Sequence, residues 1–248
     1  DMNRLLFVFI ALFFGFTCHS QELPNWTFGA SFSSEFAYRW LEAEEEVQWI
    51  ADLRNSEETV KWAYSTGLSA KRKVISGFYL GTGILFANRG YRTKKDSLVF
   101  GDMIDPRYGF VSDPQTDEDV TAYFRYHFYY LDIPLIAAYH FPIGSGSLMV
   151  SINPTYSFLL KANNRLVSNV DDLNRTNDYD IDSYTRHNFG IQAQLGYEFS
   201  IGKSFGLAFY ADGYYPFNNV SDSPLTAYLY SAGVGASLNY HISNKADD

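Results

Sequence analysis

From Trp26 to Trp40 the even positions read Trp, Phe, Ala, Phe, Ser, Phe, Tyr, Trp, while the odd positions from Asn25 to Arg39 read Asn, Thr, Gly, Ser, Ser, Glu, Ala, Arg. Successive side chains of a β-strand point to opposite faces, so one face of this segment is an aromatic band and the other is small and polar, with one Glu and one Arg. A soluble sheet buries its apolar face and wets its polar one. A membrane barrel reverses this, turning the apolar face to lipid and enclosing the polar face.

The alternation recurs in Trp62–Lys71, Phe78–Arg89, Tyr123–Phe141, Ser147–Ala162, Tyr184–Phe199, Phe205–Phe217 and Ala227–Ile242, which predicts eight strands. Within Tyr123–Phe141 the aromatic phase changes from even (Phe124, Tyr126, Phe128, Tyr130) to odd (Leu131, Ile133, Leu135), and a β-bulge near Tyr130 absorbs the slip. Connections alternate in length. Arg72–Gly77, Pro142–Gly146 and Ser200–Ser204 are short, whereas Leu41–Lys61, Tyr91–Ala122 and Asn163–Ser183 are long and Asn218–Thr226 is intermediate. Short turns on one rim and long loops on the other are the arrangement of outer-membrane barrels, with turns and termini periplasmic and long loops extracellular. The fold expected is an all-β, eight-stranded antiparallel up-and-down transmembrane barrel with four longer extracellular loops.

Composition agrees with this reading. Aromatic residues make up 18% of the chain, yet mean hydropathy is slightly negative, as strands with only one apolar face require. The only long apolar run is Leu5–Phe16. With Arg4 before it, and Cys18 and Ser20 as small residues before Gln21, it reads as a signal peptide over residues 1–20, cleaved to leave a single barrel domain over 21–248. Its twelve residues fall well short of the roughly 20 that a spanning helix needs. The mature chain then has no cysteine and no disulfide framework.

Aromatics at the strand ends mark the two membrane interfaces. Trp40, Trp62, Tyr64 and Tyr228 belong to the outer girdle, and Trp26, Phe141, Tyr197 and Tyr240 to the periplasmic one. The lumen of an eight-stranded barrel is just wide enough to be filled by side chains. Glu35, Arg39, Lys71, Arg89, Arg125, Asp132, Lys161, Arg186, Glu198 and Asp212 are therefore expected to form a plug in which each charge has a partner.

With the strands placed, the chain resembles the PorT-like outer-membrane β-barrel family of Bacteroidetes-type bacteria. The resemblance rests on the leader ending Ser20-Gln21, on Gly81-Thr82-Gly83-Ile84-Leu85 running to Arg89-Gly90-Tyr91, and on Tyr130-Leu131-Asp132-Ile133-Pro134-Leu135 with Tyr139 after it. It implies the barrel architecture and no particular activity. The closing strand, Gly233-x-Gly235-x-x-Leu238-x-Tyr240, resembles the signal read by barrel-insertion machinery, although the chain continues to Asp248.

No Gly-x-Ser-x-Gly, metal-spaced His pair or phosphate loop accompanies His127, His140, His187 or His241, so no catalytic residue, metal site or cofactor is expected. Leu41–Lys61 carries seven acids against two bases, an external acidic surface. Asp178-Tyr-Asp180-Ile-Asp182 resembles the start of a calcium loop but lacks its Gly and distal Glu. A net charge of −9 disfavours nucleic acid as a partner. The function expected is that of a non-enzymatic outer-membrane protein whose loops serve adhesion, partner docking or envelope integrity. The alternatives are a porin-like small-solute channel and a rim-located lipid-modifying enzyme. Expected partners are outer-membrane lipid and lipopolysaccharide, the barrel-assembly machinery and an envelope protein.

Overall fold

The computed structural model describes residues 25–97, 104–105, 109–110, 121–202, 204–221 and 225–242. The expected leader over residues 1–20 and the tail after Ile242 lie outside the described residues. Eight long strands form the wall: β1 (Trp26–Ala43), β2 (Lys61–Ile75), β3 (Phe78–Thr93), β4 (Thr121–Ile143), β5 (Gly146–Ser168), β6 (His187–Ile201), β7 (Phe205–Pro216) and β8 (Leu225–Ile242). Each pairs antiparallel with its sequence neighbours. β8 closes on β1 from Trp26↔Ile242 to Ala43↔Leu225, so the barrel has no free edge. Among the described residues no helix is long and apolar enough to cross a membrane. The chain crosses with strands.

The alternation sorts the faces as a lipid solvent demands. Phe36, Leu68, Ile84, Leu135, Leu195, Phe209 and Val234 are exposed on the outside, while Ser33, Glu35, Ser65, Asn153, Ser157 and Asn239 are buried inside. On one rim β2–β3, β4–β5 and β6–β7 are joined by short turns, each with a glycine at positive φ (Gly77 at 76°, Gly144 at 62°, Gly202 at 66°). The other rim carries the long loops. The first holds a 3₁₀ turn and the helix α1 (Gln48–Glu57), followed by the short strand Glu58–Thr59, which pairs with the top of β3. The third holds the short strand Arg175–Asp178, which extends the wall beside β5.

The phase of β4 differs from expectation. Its even residues face inward throughout: Phe128, Tyr130, Asp132, Ala138 and His140 are all buried. A register shift does fall between Tyr129 and Tyr130, but the extra residue is Leu160 of β5, because Tyr129 pairs with Lys161 and Tyr130 with Leu159. β5 therefore changes face and β4 does not. Phe128 and Tyr130 belong to the lumen, where they meet the inward partners Arg89 and Ala87 on β3.

Candidate functional site

Buried side chains fall in three layers along the lumen. At the turn end, Glu198 accepts hydrogen bonds from Asn239 Nδ2 at 2.6 Å and pairs with His241 Nε2 at 2.8 Å, and His241 Nδ1 lies 3.1 Å from the Thr27 hydroxyl. His140 Nδ1 lies 3.3 Å from Ser147 Oγ, with its ring centroid 4.8 Å from that of Tyr79. Thr27, His241 and Glu198 make a hydroxyl–imidazole–carboxylate chain, but Thr27 is 2% exposed within the wall, so no substrate reaches its hydroxyl. Above this layer Lys71, Ser151, Asn153 and Gln194 line a cavity of about 50 Å³.

In the middle layer Arg89 pairs with Asp132 across β3 and β4, and its guanidinium stacks 3.7 Å from the Tyr214 ring. Ser65 donates to Glu35 at 2.7 Å. Ser33 donates to Asp212 at 3.0 Å, with Gln192 at 3.4 Å on the other oxygen. The space left among these groups is about 10 Å³.

At the extracellular mouth lies an apolar and aromatic cap, which reading a polar plug from the strands missed. Leu41, Ala87, Tyr91, Phe128, Tyr130, Leu159, Ala162, Ala227 and Leu229 from the strands pack with Ala51 of α1 and Val220 of the fourth loop. Tyr91, Tyr126 and Tyr179 stack in sequence at 4.4 and 6.3 Å, and Tyr184 meets Phe128 edge-on at 5.2 Å. The third loop thus inserts two tyrosines into the cap. Burial, reinforced by the neighbouring Tyr126 and Tyr184 phenols, pushes the Tyr179 phenol up to about 12. The first loop is fastened by Glu58, which accepts from Arg39 Nε at 2.9 Å while Arg39 lies 3.8 Å over the Tyr91 ring. Burial pushes the Glu58 carboxyl above its usual range, with Arg39 pulling it back.

Of the charged residues expected in the lumen, Glu35, Lys71, Arg89, Asp132, Glu198 and Asp212 are buried there, and Arg39 lies half-buried at the mouth. Three are corrected. Arg125 is on the outer face, between the outward Arg92 and Arg165, because β4 keeps one phase. Lys161 also faces outward, carried there by the Leu160 bulge, and binds Asp178 at 2.9 Å. Arg186 precedes β6 and is exposed, with Asp182 as its partner. His127, two residues along the same strand from Arg125, faces outward as well, with Nδ1 2.9 Å from Lys61 Nζ. Asp178 and Asp182, read as the start of a calcium loop, are thus each held by a basic side chain, and Asp180 caps a 3₁₀ turn at Asp182 N.

Among the interface aromatics, Trp26, Trp40, Trp62 and Tyr240 are exposed and Tyr64, Phe141, Tyr197 and Tyr228 half-buried on the outer face. Trp62 Nε1 donates to Ser34 Oγ at 2.9 Å, and the Tyr197 hydroxyl donates to the Ile143 carbonyl at 2.7 Å. On β8, Gly235 faces the lumen, Leu238 and Tyr240 the outside; a Cβ on Gly235 would lie 2.5 Å from the Tyr210 ring.

Solved structures similar to this chain include Neisserial surface protein A (11% identity, TM-score 0.43, covering 88% of this chain and 97% of that one). The outer membrane protease OmpT from Escherichia coli matches at 10% identity and TM-score 0.46, covering 91% and 99%. The outer membrane protein OprG from Pseudomonas aeruginosa matches at 10% and 0.42, covering 90% and 98%. No curated protein matches the sequence. The family model described as outer membrane protein beta-barrel domain matches residues 19–222. With that match over most of its length and a closed barrel whose apolar face points outward, the chain belongs to the outer membrane protein beta-barrel domain family and is an integral protein of the bacterial outer membrane.

Proposed function

We propose that the protein is a closed, non-enzymatic barrel that works through its extracellular loops, in adhesion, in docking an envelope protein or in envelope integrity. One observation supports this reading: buried side chains reach into the lumen at three successive levels, and among the described residues two of the spaces between them are about 50 and 10 Å³, the scale of a few water molecules. Glu35, Lys71, Arg89, Asp132, Glu198 and Asp212 act as a structural plug, and Arg39 anchors the first loop. The loops are built surfaces. Trp49 and Leu53, one turn apart on α1, are both exposed beside the acidic Glu44–Glu46 stretch, a face suited to a partner protein.

The reading includes a leader removed after Ser20, a single domain from Gln21 onward, girdles formed by the exposed aromatics, and a β8 recognised by the assembly machinery. The PorT-like resemblance is part of it too, supported by Asp132 of the Tyr130–Leu135 motif and Arg89 of the Gly81–Tyr91 segment pairing with each other. Lipid and lipopolysaccharide surround the barrel. The test is single-channel recording in planar bilayers with the refolded barrel. Silence is expected, and reproducible conductance steps would establish the channel instead.

A further inference from the structure

Above the apolar band, on the outer face, five residues fall in one cross-strand row. Thr59 of the first loop pairs with Arg92 of β3, Arg92 with Arg125 of β4, Arg125 with Arg165 of β5, and Arg165 with Thr176 of the third loop. Three guanidinium groups in directly opposed positions repel one another. Among the described residues none of the three has a carboxylate at ion-pairing distance. Asp178, on the outward face two positions below Thr176, is held by Lys161. The Tyr123 ring spaces the cations, with Arg92 at 5.9 Å and Arg125 at 5.1 Å, and its hydroxyl accepts from Arg125. Just below, the buried Lys61 amine donates to Asn88 and to the Arg89 carbonyl, and its Nζ lies 2.9 Å from His127 Nδ1.

The position of the row specifies the anion. Tyr129, on the outer face and stacked with Phe86 at 5.8 Å, marks the edge of the apolar band. The row lies four residues further along β4, about 13 Å of strand, or roughly 10 Å along the membrane normal at the usual tilt of barrel strands. That is the headgroup layer on the long-loop, extracellular side. Adjacent strands are about 4.8 Å apart, so the three arginines span about 10 Å with a hydroxyl at each end. Arg matches phosphate oxygens in bidentate fashion and gains most where water is scarce.

We propose that the row Thr59–Arg92–Arg125–Arg165–Thr176 binds the phosphate groups of outer-leaflet lipopolysaccharide. Bound phosphate relieves the repulsion within the row and ties the first and third loops to the membrane surface. The site is independent of whether the barrel conducts.

The test measures binding of lipid A to the purified full-length barrel in detergent, using bisphosphorylated and dephosphorylated forms and inorganic phosphate as competitor. Wild type is expected to prefer the bisphosphorylated form by at least about tenfold, and the Arg92→Gln/Arg125→Gln/Arg165→Gln variant to lose that preference. Arg72→Gln/Arg175→Gln/Arg186→Gln, with the same change in net charge, is expected to keep it. Heat-modifiable gel migration establishes that each variant is folded. If the triple variant does not fold, Arg92→Gln and Arg165→Gln singly, at the two exposed arginines of the row, are each expected to weaken the preference. Equal binding of both lipid forms by wild type, or an unchanged preference in the folded variants, would overturn the proposal. So would inorganic phosphate competing at an affinity matching that of lipid A, which would make the row a site for soluble phosphate.

Discussion

The guanidinium of Arg89 on β3 stacks 3.7 Å from the ring of Tyr214 on β7, so a single contact spans the lumen between opposite walls. Arg89 is held in that position by Asp132, and both are buried. Removing one partner of a buried pair strands the other charge and costs about 3–5 kcal/mol, whereas replacing both with apolar groups of similar size is often neutral. Asp132→Ala is therefore expected to lower the urea midpoint of the refolded barrel strongly. Arg89→Met/Asp132→Leu should recover most of the loss. A double variant as unstable as the single one would show that the charges themselves, rather than the filled volume, hold the middle of the barrel.

The ion pair of Arg39 and Glu58 fastens the first loop to the mouth. Arg54 approaches the same carboxylate at 3.9 Å, but Arg54 is exposed and adds little. Glu58→Ala should release α1 and the acidic stretch before it, so limited proteolysis between residues 44 and 60 is expected to accelerate on the order of a hundredfold. Glu58→Gln retains an acceptor for Arg39 and should give an intermediate rate. Cleavage equal to wild type in both variants would mean the loop is held by Ala51 and the apolar cap alone.

How much of this was legible in the sequence depends on the strand. In β1, β2, β7 and β8 the two faces differ so clearly that inward Glu35 and Asp212 and outward Phe36 and Phe209 follow from alternation alone. From Tyr123 to Tyr130 both faces carry rings, and the face that also holds Arg125 and His127 is the outward one, so periodicity does not say which side faces lipid. The deciding fact is the pairing of Phe128 with inward Arg89, which depends on a neighbouring strand. The bulge at Leu160 was hidden for a related reason. An apolar pair, Leu159-Leu160, lets either residue take the inward place, and the choice moved Lys161 outside. The row of arginines is spread between positions 92 and 165 of the sequence and is visible only once two registers are known. The one available hint to the cap was the tyrosine pair in the third loop, Tyr179 and Tyr184.

Tyr179 gives the cap a titratable reporter outside the membrane. Its phenol is raised to about 12 by burial and by the nearby Tyr126 and Tyr184 phenols, from an ordinary value of about 10. A raised folded-state value means that the folded state holds its proton more tightly than the unfolded one. The associated stabilisation is complete below the ordinary tyrosine value and is lost as pH rises through about 12. The phenolate difference spectrum between wild type and Tyr179→Phe should have its midpoint there. A midpoint at the ordinary value would mean that the ring is solvated and the stack on Tyr126 is open.

Gly235 separates packing from recognition in the closing strand. A Cβ there would lie 2.5 Å from the Tyr210 ring, whereas one on Gly233 would lie 2.2 Å from the Ser34 carbonyl oxygen. The first obstacle is a side chain and the second is backbone. Overpacking of this kind costs about 1–3 kcal/mol. Gly235→Ala should therefore reduce the fraction folded in detergent, where no assembly machinery is present, and Tyr210→Ala in the same chain should restore it. Gly233→Ala should resist any such rescue, because the backbone of β1 does not yield. If Gly235→Ala instead folds normally in detergent but fails to reach the outer membrane of cells, the glycine is required as part of a signal rather than for the space it leaves to Tyr210.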